Sequence, residues 1–235
     1  MSSSEISRRR LLGLGAAAAG GAALGATSMR GIETVSQAAP ADQSVEFFGP
    51  RQAGVATKQQ THAVIAVYDL TASKPGDLQQ LLRMLTRTGY DLTSGGAEPQ
   101  RSNGDRPVDN GMLGSGADTS RLTLTVGLGA SIFQRPGDSL GVAARKPAHL
   151  KPMPEFPGDA LVANQTGGDL LIQICADDPQ AALHALRTLE QATRGALVPR
   201  SVHRGQQRFT SENGEPKARG LLGFKDGTAN INQAD

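Results

Sequence analysis

One stretch of this sequence has residue types and spacing that could do chemistry: Gly223-Phe224-Lys225-Asp226-Gly227-Thr228-Ala229-Asn230, near its end. A single carboxylate stands between glycines at 223 and 227, with a small hydroxyl after it. Glycine lacks a Cβ, so the chain there can turn sharply and lie close against a flat ligand. That arrangement would aim Asp226 into a site while keeping the backbone thin around it. Lys-Asp-Gly is equally a good β-turn sequence, and Asp-Gly commonly joins two strands. The bare pattern leaves a turn and a catalytic loop both open.

The same eight residues resemble the GxxDG motif of the dye-decolourising (DyP-type) haem peroxidases. The resemblance is strongest to their exported, iron-transport-associated deferrochelatase/peroxidase subgroup. Two further blocks, Phe48-Gly49-Pro50-Arg51-Gln52-Ala53-Gly54-Val55 and Asp169-Leu170-Leu171-Ile172-Gln173-Ile174-Cys175-Ala176, carry it back to about residue 47. In that family the motif's acid is the distal acid/base above the haem. The resemblance therefore implies that role for Asp226, and implies that the backbone of Gly227, Thr228 and Ala229 lies against the porphyrin of haem b. The family's axial histidine and distal arginine lie well beyond the motif, so the resemblance implies an axial ligand beyond residue 235 and a chain that is the N-terminal part of a longer protein. A carboxylate is intrinsically more acidic than histidine, so a complete enzyme of this kind should work best at acidic pH.

Other reactive residues offer less. The histidines, His62, His149, His184 and His203, are scattered, and none matches the family's ligand position. Cys175 is the single cysteine, which excludes an internal disulfide framework and any multi-cysteine metal site. It lies in an apolar run and reads as a small buried hydrophobe. The glycine-rich Gly111-Met112-Leu113-Gly114-Ser115-Gly116 lacks the strand-before, helix-after setting and the Lys-Ser/Thr ending of a phosphate loop. Tyr68 sits in a strand-like run and reads as core; it and Tyr90 are the tyrosines that could relay electrons.

The elements that would position Asp226 follow from periodicity. Residues 1–38 read as a twin-arginine signal peptide: Ser7-Arg8-Arg9-Arg10 precedes an apolar, small-residue run from Leu11 to Ala26, and Ser36-Gln37-Ala38 offers a cleavage site. Residues 39–60 read as a linker and N-terminal arm. Within 61–220, His62–Leu70 has the composition of a strand, and Leu78, Leu81, Leu82 and Leu85 share one helical face that Ser73 or Asp77 could cap, with an end near Gly89. Arg121–Gly127 alternates, Asp169–Ala176 should be a central strand, Pro179 opens a second helix ended by Gly195, and Ala196–Val202 can form a fourth strand. Segments 91–120 and 133–167 read as long irregular loops, and 204–219 as a polar excursion. The order strand, helix, strand, strand, helix, strand is the α+β, ferredoxin-like split βαβ arrangement, an antiparallel sheet with both helices on one face. DyP-type peroxidases contain two such domains, which makes this the first; residues 221–235 then carry the GxxDG segment.

Composition narrows the partners. A net charge of +2 with interspersed signs gives no footprint for nucleic acid. The function implied by the resemblance is an exported, periplasmic or secreted haem peroxidase that uses hydrogen peroxide to oxidise a dye-like or porphyrin-like reductant, with iron release from haem as an extension. It implies the twin-arginine translocase and an iron-uptake system as partners, and a homo-oligomer at full length. The alternatives are a non-catalytic haem- or tetrapyrrole-binding protein of an iron importer, and a small ferredoxin-like domain used for association or small-ligand binding.

Overall fold

Alternation of apolar residues along four segments builds one antiparallel sheet. The computed structural model describes residues 44–95, 113, 119–151, 153–207, 209–212 and 215–225. Strand β1 is His62–Leu70, β2 Thr123–Leu128, β3 Leu170–Ala176 and β4 Leu197–Gln206, in the spatial order β2-β3-β1-β4. Strand β3 pairs with β1 (Val64 opposite Ile174) and with β2 (Leu124 opposite Ile174), so β1 and β3 are the central strands. Helix α1, Pro75–Thr93, and helix α2, Pro179–Ala192, carry the apolar stripes that face this sheet. This is the ferredoxin-like arrangement the sequence order implies.

The core lies between sheet and helices. Val64, Ala66, Tyr68, Ile172, Ile174 and Leu124 meet Leu81 and Leu85 of α1 and Ala185, Leu186 and Leu189 of α2. Each buried leucine or isoleucine contributes about 2 kcal/mol through removal of apolar surface from water. Asp178 caps α2, its side chain accepting from the Gln180 N–H at 2.7 Å, with Pro179 in the first turn.

Helix α1 departs from the sequence expectation at both ends. Lys74 is the N-cap residue and makes no side-chain cap bond; neither Ser73 nor Asp77 takes the position, and Pro75 opens the helix. The helix also passes Gly89 and continues to Thr93. Gly89 is required by packing: a Cβ there would stand 2.8 Å from the Phe47 ring. The glycine makes room for the arm and does not stop the helix.

The arm, residues 44–61, wraps the edge strand β2. Phe47 lies on the helix side, against the Gly89 position. Gln52 then pairs with the β2 edge, its Nε2 donating to the Val126 carbonyl and its Oε1 accepting from the Val126 N–H, both at 3.0 Å. Beyond it the arm crosses to the opposite face, where the Thr125 hydroxyl donates to the Ala53 carbonyl at 2.6 Å and Gln60 donates to Thr123 Oγ1 at 2.9 Å. The Val126 backbone groups, paired in this way, are no longer open to another chain at that point of the edge.

The segment after β2 is tied down by short 3-10 turns at Ala130–Gln134, Pro136–Asp138 and Ala143–Arg145. The excursion after β4, read from sequence as polar and irregular, contains a strand pair, β5 Phe209–Glu212 with β6 Glu215–Ala218. Strand β4 itself runs to Gln206, so His203 sits in a strand.

Candidate functional site

The approach to Asp226 is a closed loop. Arg219 and Lys225 form an antiparallel bridge. Between them the Gly220 N–H donates to the Phe224 carbonyl and the Gly223 N–H to the Gly220 carbonyl, both at 2.9 Å. The Arg219 guanidinium donates to the Gly223 carbonyl at 3.0 Å. Gly223 has φ +84°, a left-handed conformation that glycine adopts without steric penalty. This turn, at Gly220–Gly223, precedes the Lys225-Asp226-Gly227 turn the sequence suggested, which extends outside the described residues. It turns Leu221, Leu222 and Phe224 outward, all strongly exposed. Asp226, Gly227, Thr228 and Ala229 lie outside the described residues, as does the segment 1–38.

Three arginine–aspartate pairs hold the scaffold that carries this loop. Asp169, almost fully buried, receives the Leu70 N–H at 2.9 Å, the Ser131 hydroxyl at 2.6 Å and the Arg135 guanidinium. It thus fastens the end of β1, the start of β3 and the first 3-10 turn together. Arg121 pairs with Asp177 at 2.8 Å, and Asp177 also accepts from the Thr61 N–H. Arg200 of β4 pairs with Asp69 of β1 at 2.9 Å and donates to the Ala163 and Thr166 carbonyls. A partly buried charge is tolerable when paired and hydrogen-bonded in this way. Two of these aspartates and Gln52 fall in or beside the blocks that resemble the peroxidase family, so part of that resemblance is structural.

Two cavities lie on the helix side of the arm. The smaller, about 260 Å³, runs under Phe47 and Gln52 to Leu85 and Leu124. The larger, about 810 Å³, is a groove along α1 reaching Leu140 and Arg145.

Known proteins share this architecture. The family description "Dyp-type peroxidase, N-terminal" matches residues 52–207. This chain belongs to the DyP-type peroxidase family. It is 37% identical over 240 residues to the deferrochelatase of Escherichia coli (strain K12), covering 96% of this chain and 54% of the relative. The deferrochelatase of Shigella sonnei (strain Ss046) is likewise 37% identical, over 237 residues with the same coverage. Among solved structures, the DyP-type peroxidase from Cellulomonas bogoriensis superimposes with a TM-score of 0.68 at 30% identity, over 82% of this chain and 51% of that one. An oxyferrous complex of DtpA from Streptomyces lividans gives 0.67 at 30% identity, over 82% and 50%. The chain spans about half the length of the curated relatives it matches.

Haem is the group this family implies, and the described residues do not make an axial site for it. His62 opens β1, His149 is exposed in a loop, His184 is buried on α2, and His203 is exposed on β4. These positions are in four separate places, and among the described residues no histidine, cysteine or carboxylate lines either cavity. Among the described residues no three His, Cys, Asp or Glu side chains cluster as metal ligands. Burial raises the Cys175 thiol pKa, which keeps it protonated and a poor ligand at neutral pH. Tyr68 is buried against α2; desolvation, with the Glu190 carboxylate adding to it, pushes its phenol far above the ordinary value. It is core, as the sequence indicated. Sequence reasoning did not find the arginines of the larger groove, although Arg83 and Arg87 stand at the i, i+4 spacing that places two residues on one helical face.

Proposed function

We propose that the protein containing this chain is a haem-dependent peroxidase of the DyP type that consumes hydrogen peroxide, oxidises a dye-like or porphyrin-like reductant, and releases iron from haem. The observation that carries the proposal is the family match over residues 52–207, with a glycine-framed acid, Asp226, following it in sequence. The relatives named deferrochelatase support the iron-release part. Asp226 would be the acid/base for the protons of peroxide, with Gly227, Thr228 and Ala229 beside the porphyrin; haem b would supply the redox chemistry when bound.

Export by the twin-arginine translocase to the periplasm or the exterior, service to an iron-uptake system and homo-oligomerisation belong to the same proposal. Support for export is Arg8-Arg9 ahead of the apolar run 11–26. Replacing both arginines by lysine should leave the protein in the cytoplasmic fraction; export of that variant at the native level would remove the assignment.

The test of the chemistry is Asp226→Asn in the full-length reading frame. Peroxide turnover should fall about 100-fold or more while haem stays bound, the range typical of a lost general acid/base. Unchanged turnover would remove Asp226 from the reaction. Loss of haem together with turnover would assign it to binding.

A further inference from the structure

The smaller cavity, about 260 Å³, lies where the helix-covered core meets the arm. Its walls are aliphatic: Leu82 and Leu85 of α1, Leu124 and Val126 of β2, Ile172 of β3 and Leu189 of α2. Leu85, Leu124, Ile172 and Leu189 are at most 5% exposed, so the cavity reaches into the core. Phe47 covers it, seated in the place that Gly89 leaves open. Phe48, Gly49 and Arg51 of the arm are exposed and mark its mouth.

The polar side chains along this lining are already engaged. Gln52 gives its amide to both backbone groups of Val126 at 3.0 Å, and the Thr86 hydroxyl donates to the Leu82 carbonyl at 2.8 Å. Among the described lining residues Arg51 carries the one charge, and it stands at the mouth. Water inside would be short of the two to four polar partners that hold a buried molecule. Protein interiors hold few voids larger than a water molecule, because the atoms around an empty one forfeit their contacts on that side. A cavity of about 150 Å³ lined by Leu, Ile and Phe stays dry and takes up benzene or xenon. This one is larger and has the same kind of wall. A hydroxyl or a charge carried into it would lose its water without replacement. The walls come from branched side chains on four separate elements, an irregular surface that a flexible chain can follow better than a rigid plate.

We propose that this cavity binds an unbranched, uncharged alkyl chain, which enters beneath the arm beside Phe48 and Arg51 and packs against Leu85, Leu124 and Ile172. The guest is recognised by shape and apolar surface. Haem and peroxide take no part, so this inference and the peroxidase reading fail separately.

Methyl NMR of the full-length protein tests it, with n-pentane as the probe and pentane-1,5-diol, of the same length, as the control. The Leu85, Leu124 and Ile172 methyl resonances should shift saturably with n-pentane, as for one site per chain. The diol should bind about tenfold more weakly or worse, since it must bury a hydroxyl that finds no partner. Val126→Phe fills the space from β2 and leaves the Val126 backbone bonds to Gln52 in place, so it should abolish the shifts. Should that variant lose its fold, Leu82→Phe, which fills the space from α1, must abolish them instead. Absence of saturable shifts in the native protein, equal binding of the diol, or n-pentane shifts that survive in a folded filling variant overturns the proposal.

Discussion

Alternate residues of β1 and β3 meet two different environments. Val64, Ala66 and Tyr68 with Ile172 and Ile174 face the helices and are buried, while Ile65, Val67, Leu171 and Gln173 face the other way and are half-buried. The helix side is closed by apolar side chains whose individual contacts are weak and whose sum is large. On the arm side closure depends on a few specific bonds: Thr125 to Ala53, Gln60 to Thr123, and Gln52 to both backbone groups of Val126 at the edge. A non-directional core tolerates change in proportion to volume. A polar seam with one extended segment laid on it should depend on geometry at single positions.

The largest effect should come from the helix side. Ile172→Ala removes a side chain that is 1% exposed at the centre of the core, and should cost about 4 kcal/mol in urea unfolding, cavity included. A loss under about 1 kcal/mol would mean that this face can collapse onto the gap and is not close-packed.

Gly54 tests the arm side. It has φ +92°, and a Cβ on it would stand 2.3 Å from Thr125 Oγ1, one of the groups that hold the arm. Gly54→Ala combines backbone strain with overpacking and should cost about 2–3 kcal/mol. Its distinguishing mark should be local: amides of residues 44–61 should lose protection from hydrogen exchange while those of β1 and β3 keep theirs. Uniform loss of protection would make the two faces one cooperative unit. Gln52→Ala, which removes the edge bonds without strain, should cost about 1 kcal/mol and show the same local pattern more faintly.

Legibility from sequence divides along the same line. The strands and helices facing the core could be read because burial imposes a period, two for β1 and β3 and 3.6 for α1 and α2. The arm could be marked as family-like at residues 47–55 but not placed, since hydrogen bonds between Gln52 and Val126, 74 residues apart, leave no periodic trace. Gly89 was misread for a related reason. A glycine that admits Phe47 and a glycine that ends a helix look alike until the partner is known. The strand pair β5–β6 escaped because its residues are mostly polar and carry no apolar alternation. At the candidate site the sequence marked Lys225-Asp226-Gly227 as a turn but not the Gly220–Gly223 turn before it, and the groove beside α1 needs Arg145, brought from a distant turn that no spacing announces.

Tyr68 gives the smallest effect and the sharpest contrast between non-directional and directional closure, because it places a polar atom within the apolar face. Its ring is 2% exposed, and its hydroxyl has no hydrogen-bond partner of ordinary geometry among the described residues. Tyr68→Phe removes that unsatisfied group and keeps the ring, so at pH 7 its stability should lie within about 1 kcal/mol of the native value. The difference should emerge with alkali. Burial and the Glu190 carboxylate raise the folded phenol pKa, whereas the unfolded phenol titrates near the ordinary value of about 10. Below that value both states hold the proton and the term is constant. Above it the unfolded chain releases the proton first, so the native protein loses stability as pH rises through and beyond 10. Tyr68→Phe lacks this loss, and its unfolding midpoint should fall less steeply between pH 9 and 11. Parallel decline of the two proteins would show that Tyr68 titrates freely, and that the helix side admits water where the packing indicates it is dry.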